Sequence, residues 1–326
     1  MTATEPMRVL FMGTPDFAVP ALRALAECAA PGALLPSGMD IVGVVTRPDK
    51  PAGRGRQVAY APVKQFALEA VLPVYQPGPL RKPEAFALLQ SLAPDLIVVA
   101  AFGQILPSEV LRLPRHGCLN VHASLLPRWR GASPINAAIL AGDAETGVTI
   151  MLMDEGLDTG PMLTDARTAI GADENVGQLF DRLATLGADL LLRTLPRWLA
   201  GEIIPRAQDE ALATMTRPLK KEDGRIDWGQ PASALARQVR AYTPWPGAFT
   251  TWNGHQVKLL AAHAVAEVAG ERTPGTCFLL PNGALACACG EGALALDVVQ
   301  LEGRRALPSA DVLRGHPALA DATFGT

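Results

Sequence analysis

The chain has 326 residues, enough for two domains with cores of their own, and 49% of them are apolar against 19% charged. That balance belongs to an ordinary globular protein and excludes a disordered or collagen-like chain. The net charge is −3 and neither half is strongly charged, so any nucleic-acid contact must come from a local basic patch rather than a global field.

The first apolar run, Arg8–Met12, is followed by Gly-Thr-Pro and then by a helical pattern over 17–29. Strands are expected at Ile41–Thr46, around Val74, at Asp95–Ala101, at Cys118–His122 and at Val148–Met153, with helices at Pro83–Leu92 and Pro134–Ala141. Apolar strands alternating with helices read as an α/β fold, a doubly wound and mainly parallel sheet buried on both faces. Ligands in such sheets bind beyond the carboxyl ends of the strands. A nicotinamide-type fold would need G-x-G-x-x-G after the first strand, but the turn here is Gly13-Thr14-Pro15-Asp16-Phe17-Ala18, with one glycine and a proline. A long helix over Asn175–Leu199 closes this domain, expected at 1–205. A polar connector (206–225) leads to a third pattern at 226–326: one helix (Ala232–Ala241), then short alternating segments at Ala248–Trp252, Val257–Ala262, Gly275–Cys277, Leu285–Cys289 and Leu294–Leu301, split by turn residues. This reads as a small β domain.

The five cysteines form no C-x-x-C pair, and an odd count argues against a disulfide framework, so reduced buried thiols are expected. His116-Gly117-Cys118 supplies two potential ligands without partners, and no metal is expected. No apolar run approaches the ~18 residues of a membrane span. The first strand is expected at about Met7, so no targeting segment is expected before it, and a cytoplasmic location is expected.

The most informative stretch is Cys118–Pro134. It starts as a buried strand, yet Asn120 and His122 stand where an interior strand normally carries Val or Ile. Strand side chains alternate with period two, so the two share a face. A buried amide beside a buried imidazole is costly unless both are paired. A single core histidine is commonly no more than hydrogen-bonded; this pair at a strand end, followed by its particular loop, points to chemistry.

Asn120-Val-His-Ala-Ser-Leu-Leu-Pro127 resembles the signature of the 10-formyltetrahydrofolate-dependent formyltransferases. Arg128-Trp-Arg-Gly-Ala-Ser-Pro134 is similar to the branch of that family that acts on aminoacylated tRNA. Many members carry Gly where this chain has Ala123. A third family element, an Asp in a Thr-Gly turn, is matched by Gly156-Leu157-Asp158-Thr159-Gly160. The resemblance runs nearly end to end and implies an OB-like β-barrel for the C-terminal domain, which would bind tRNA.

It also implies formyl transfer from 10-formyltetrahydrofolate to the α-amino group of methionine on initiator tRNA. Asn120 and His122 would donate hydrogen bonds to the formyl oxygen, and Asp158 would orient His122 and help take the amine proton. Folate would lie along Ser124, Leu125, Leu126 and Pro127 and along Gly103, Ile105 and Leu106, the latter stretch following the Asp95–Ala101 strand to the same sheet edge. For tRNA, the stretch 46–56 carries Arg47, Lys50, Arg54 and Arg56 against Asp49 alone, and its prolines, Pro48 and Pro51, do not suit a strand. The resemblance puts Arg54 against the acceptor stem; Lys50, Arg56, Lys220 and Lys221 are candidates of the same kind. Composition by itself reads the segment as a solvated basic loop. A monomer is expected. Two alternatives stay open: a formyltransferase acting on another amine, such as a nucleotide sugar or glycinamide ribonucleotide, or a non-catalytic RNA-binding protein.

Overall fold

The computed structural model describes residues 5–52, 57–265 and 272–325, with the side chains of 50–52 and 57–59 left aside. The chain forms two compact units. One comprises Met1–Gly131, Thr146–Thr168 and Phe180–Thr216; the other comprises Ala132–Glu145, Ala169–Leu179 and Arg217–Thr326. The expected domain bounds cut the chain once near 205 and again near 226, whereas the compact units interleave.

The first unit is built on a sheet of seven strands. From one edge they run Met162–Ala169, Glu145–Leu152, Cys118–His122, Leu96–Ala100, Met7–Gly13, Met39–Val45 and Val74–Tyr75. The last five are mutually parallel. Leu96–Ala100 and Cys118–His122 are buried at every position, which is why their sequences read as unbroken apolar runs. Glu145–Leu152 departs from the expected series, because it pairs antiparallel with Cys118–His122. Met162–Ala169 was not legible as a strand. It is an edge strand whose residues alternate between covered and solvent-facing, so it lacks the apolar run that marks the central strands.

A second departure lies in the basic segment. Lys50–Ala52 and Gln57–Ala59 form a short antiparallel ladder in which Pro51 opposes Val58. A two-stranded ribbon has outer edges, where a residue without an N–H costs no ladder bond, so proline does not prevent pairing there.

The second unit holds an antiparallel half-barrel. Ala248–Trp252, His255–Val265, Ala293–Leu301, Leu285–Ala288 and Cys277–Leu279 pair in that order. Its core gathers Ile226, Trp228, Leu235, Val239, Val257, Leu259, Leu294, Leu296 and Phe324. The helix Pro134–Ala141 belongs here, although sequence order placed it in the first domain. It packs on the helix Ala232–Tyr242: Asn136 Nδ2 donates to the Ala241 carbonyl (2.7 Å) and Arg237 Nε to the Leu140 carbonyl (3.0 Å). Among the described residues, no helix is long and apolar enough to cross a membrane.

Candidate active site

The polar pair in the Cys118–His122 strand lies within the first unit, near its carboxyl end. Asn120 is 9% exposed and His122 5%. The strand sets them two residues apart and so on one face, and both meet Asp158. Asn120 Nδ2 donates to Asp158 Oδ1 (3.3 Å), and His122 Nδ1 lies 3.6 Å from Asp158 Oδ2. The other imidazole nitrogen, Nε2, is 3.0 Å from the Trp129 carbonyl. A carbonyl only accepts, so Nε2 carries a hydrogen and Nδ1 is the nitrogen turned to the carboxylate.

Asp158 stands at φ +55°, in the left-handed region. That conformation costs about 1–2 kcal/mol for a side chain other than glycine and must be held by its surroundings. The backbone N–H of Gly131 donates to Asp158 Oδ2 (2.8 Å). Gly131 itself has φ +101°, and a Cβ there would come within 2.3 Å of the Thr216 carbonyl oxygen, so only glycine brings this N–H to the carboxylate. On the other side of Asp158, Gly160 passes so close to the Leu152 carbonyl that a Cβ would fall 1.9 Å from its oxygen.

Sequence reasoning gave no role to the residues that support this cluster. Arg130, only 3% exposed, donates from Nη1 and Nη2 to the two carboxylate oxygens of Glu210 (2.9 and 2.7 Å) and from Nε to Gln208 Oε1 (2.9 Å). The hydrogen bonds to Glu210 push the Arg130 guanidinium above its ordinary range and hold the Glu210 carboxyl below its own. Gln208 Nε2 donates to the carbonyls of Asp158 (2.8 Å) and Gly160 (2.7 Å). Thr214 Oγ1 accepts from the Trp129 N–H (2.8 Å), and Thr216 Oγ1 donates to the Arg130 carbonyl (2.9 Å). Arg130 was visible only as part of a motif. Gln208, Glu210 and Thr214 sit in an aperiodic polar connector that carries no signal in a single sequence.

The residues expected to line a folate site fall into two classes. Ser124 is fully buried; its Oγ donates to the Arg128 carbonyl (2.6 Å), and its own carbonyl accepts from Thr149 Oγ1 (2.7 Å). Thr149 Oγ1 also accepts from the Leu126 N–H (3.2 Å), so one threonine pins the loop at two points. Leu126 is buried, while Leu125 and Pro127 are half-buried. In the second stretch Leu106 is buried in the core beside Phe102 and Val110, whereas Ile105 is 65% exposed and Gly103 is also exposed. The Arg47 guanidinium lies beside Gly103, 3.5 Å from where a Cβ would stand.

Of the basic residues, Arg54, Arg56 and the side chain of Lys50 lie outside the described residues. Lys220 and Lys221 are exposed at a short turn in the second unit. Their neighbour Arg217 is bound by Asp223 (2.9 and 2.6 Å), and chiefly that contact pulls the Asp223 carboxyl down to about 2. Cys118, at the start of the strand that carries Asn120 and His122, has its thiol pushed up to about 12 by burial, which leaves no thiolate for nucleophilic work. Among the described residues, no group of three or more His, Cys, Asp or Glu side chains is arranged to hold a metal ion.

Residues 7–195 match the family model described as formyl transferase, and 218–317 match its C-terminal domain. The chain belongs to the formyl transferase family. Among its relatives are the methionyl-tRNA formyltransferases of Magnetococcus marinus (49% identical, 95% of this chain and 95% of that protein) and of Citrifermentans bemidjiense (48%, covering 95% and 94%). Among solved structures, this formyltransferase shares its fold with an N-formyltransferase from Helicobacter canadensis bound to folinic acid and dTDP-3-aminofucose (TM-score 0.64, 16% identical, 89% of this chain and 99% of that one). It also resembles HypX from Aquifex aeolicus in complex with tetrahydrofolic acid (TM-score 0.58, 20% identical, 95% of this chain and 47% of that one).

Proposed function

We propose that this formyltransferase moves the formyl group of 10-formyltetrahydrofolate onto the α-amino group of methionine carried by initiator tRNA, in the cytoplasm, for translation initiation. The observation that carries this reading is the Asn120–Asp158–His122 cluster at the carboxyl edge of a parallel sheet. The end-to-end likeness to relatives named for that reaction supports the choice of amine.

The geometry suits the chemistry. A free α-amino group has a pKa near ~7.7–8.0, and esterification of the adjacent carboxyl lowers it, so much of it is neutral at pH 7 and no covalent enzyme intermediate is needed. The amine nitrogen attacks the formyl carbon, charge develops on the formyl oxygen, and the carbon–N10 bond breaks as a proton reaches N10. An asparagine amide has two N–H groups. With one on Asp158, the second is directed to the formyl oxygen as the donor that stabilises the developing charge. His122, when protonated at Nδ1, supplies the neighbouring donor, and the Asp158 carboxylate receives the amine proton directly or through water. The folate lies against Leu125, Leu126 and Pro127 and over Gly103 and Ile105, while the fully buried Ser124 holds that loop in place through the Arg128 carbonyl. Leu106 contributes from beneath as packing.

The tRNA contacts are Lys50, Arg54 and Arg56 in the basic segment and Lys220 and Lys221 in the second unit. Contacts of this kind to phosphate make binding strongly salt-dependent. Arg54→Ala should lose much of the preference for initiator tRNA over a tRNA with a fully paired acceptor end, because an unpaired end costs little to open. An unchanged kcat/KM ratio on the two tRNAs would reduce Arg54 to a solvated charge. The reading as a whole is tested by single-turnover formylation of charged initiator tRNA, run beside an amino nucleotide sugar and glycinamide ribonucleotide. Formylation of the tRNA alone is expected; faster formylation of either small amine would overturn the proposal.

A further inference from the structure

Asp158 is used on all sides. Its two carboxylate oxygens meet Asn120, His122 and the Gly131 N–H, and its backbone occupies the left-handed region at φ +55°. Something must fix that backbone, since a return to ordinary helical or extended geometry would swing the carboxylate away from Asn120 and His122. The turn 158–160 is gripped from one side by a single amide. Gln208 Nε2 has two hydrogens, and the carbonyls of Asp158 and Gly160 accept both of them, at 2.8 and 2.7 Å. Gln208 Oε1 accepts from Arg130 Nε, and a guanidinium only donates, so the amide cannot be turned over without losing all three bonds. Arg130 is fixed in turn by its two-pronged pair with Glu210. The residue after Arg130 is Gly131, whose N–H holds the carboxylate of Asp158. The Arg130–Gln208 contact thus ties the backbone grip on Asp158 to the side-chain grip.

We propose that Gln208, oriented by the Arg130–Glu210 pair, is a positioning residue that holds Asp158 in register with Asn120 and His122. The proposal rests on the catalytic reading of Asp158 given above. Gln208 touches no reacting atom; it acts through Asp158. Displacement of a reacting group by about 1 Å can cost 10²-fold in rate.

The decisive variant is Gln208→Glu. It keeps the size of the side chain and an oxygen for Arg130, but it turns the donor facing the two carbonyls into an acceptor. The expected result is a 10- to 100-fold fall in kcat with KM for both substrates within about threefold and a melting temperature within a few degrees of the parent. Combined with Asp158→Asn, it should add almost nothing to the loss that Asp158→Asn causes alone, because residues that act as one unit are not additive. Glu210→Gln, a change at an exposed side chain that leaves Gln208 in place, should show a smaller fall in kcat of the same kind. An unchanged kcat in Gln208→Glu overturns the proposal. So does a loss that multiplies fully with that of Asp158→Asn, or one that follows a drop in melting temperature. If Gln208→Glu does not fold, Glu210→Gln decides alone: full parental kcat sinks the proposal and a selective kcat loss sustains it. Failure of the parent enzyme to formylate charged tRNA would instead strike the functional reading, and is visible before any variant is made.

Discussion

The polar edge of the first unit, where the catalytic site is proposed, and the core of the second solve opposite problems. The second unit is held by apolar burial: Leu259, Val239 and Leu294 lie among Trp228 and Phe324, and its buried polar side chains include Thr250, which accepts from the Trp228 indole at 3.1 Å. The edge of the first unit buries Asn120, His122, Ser124 and Arg130 within one short span of chain, and Thr149 on the adjacent strand opposite His122. Each is satisfied by a partner that packing alone would not require. Apolar cores tolerate exchange of one hydrophobe for another of similar volume. A buried polar network loses its purpose when any member shifts, because each group left unpaired costs about 1–3 kcal/mol and the rest lose their orientation. The difference teaches where the molecule should be fragile in rate and where in stability.

The largest separation is expected from Asn120→Ala and His122→Ala. Each should lower kcat by about 10²–10³-fold, the usual effect of losing an oxyanion donor, with tRNA affinity little changed. Asp158→Asn should do comparable harm and alter the pH–rate profile. Single-turnover assays with binding measured separately check this, and near-parental turnover in any of the three would collapse the contrast.

Gly131→Ala should come next. A methyl group 2.3 Å from the Thr216 carbonyl and a φ of +101° force the loop to move, withdrawing the N–H from Asp158. We expect a kcat loss of about 10²-fold with a lowered melting temperature, read by kinetics and calorimetry on the same preparation.

Leu259→Ala turns the comparison around. Leu259 is fully buried in the second unit, so truncation should cost about 2–5 kcal/mol of stability while the first-order transfer step stays near parental. Urea unfolding followed by single-turnover kinetics at low temperature tests it. A large loss in the chemical step would show that the two regions are not separable.

The smallest effect concerns pH. Asp223 is held down to about 2 by Arg217, from an ordinary value of 3.8. A carboxyl depressed in the folded state adds stability that is complete above its unfolded value and fades as pH falls through the folded one. Asp223→Asn should therefore lower the urea midpoint modestly at neutral pH, and the gap from the parent should close between about pH 4 and pH 2. A gap that persists at pH 2 would assign the effect to packing rather than to charge.

The central strands were legible because each buries both faces, and a doubly buried strand writes itself as an apolar run. Asn120 and His122 stood out against that run for the same reason. Met162–Ala169 was not legible, since an edge strand with one wet face resembles a loop in composition. The ladder of Lys50–Ala52 with Gln57–Ala59 was hidden by Pro51.

What the sequence determined by itself was therefore local. Periodicity placed the parallel strands, alternation put Asn120 and His122 on one face, and the Asp-Thr-Gly turn offered an acid. The tertiary structure decided what no spacing encodes. It joined Pro134–Ala141 to the helix Ala232–Tyr242, and it carried Asp158 across 38 positions of chain to Asn120. It also set the connector residues Gln208, Glu210 and Thr214 against Trp129, Arg130 and Asp158. The physical reason is that a hydrogen bond between distant residues depends on where the backbone returns in space. That return is set by the packing of the whole sheet and its loops, while a sequence pattern reports only the neighbours each residue meets along its own element.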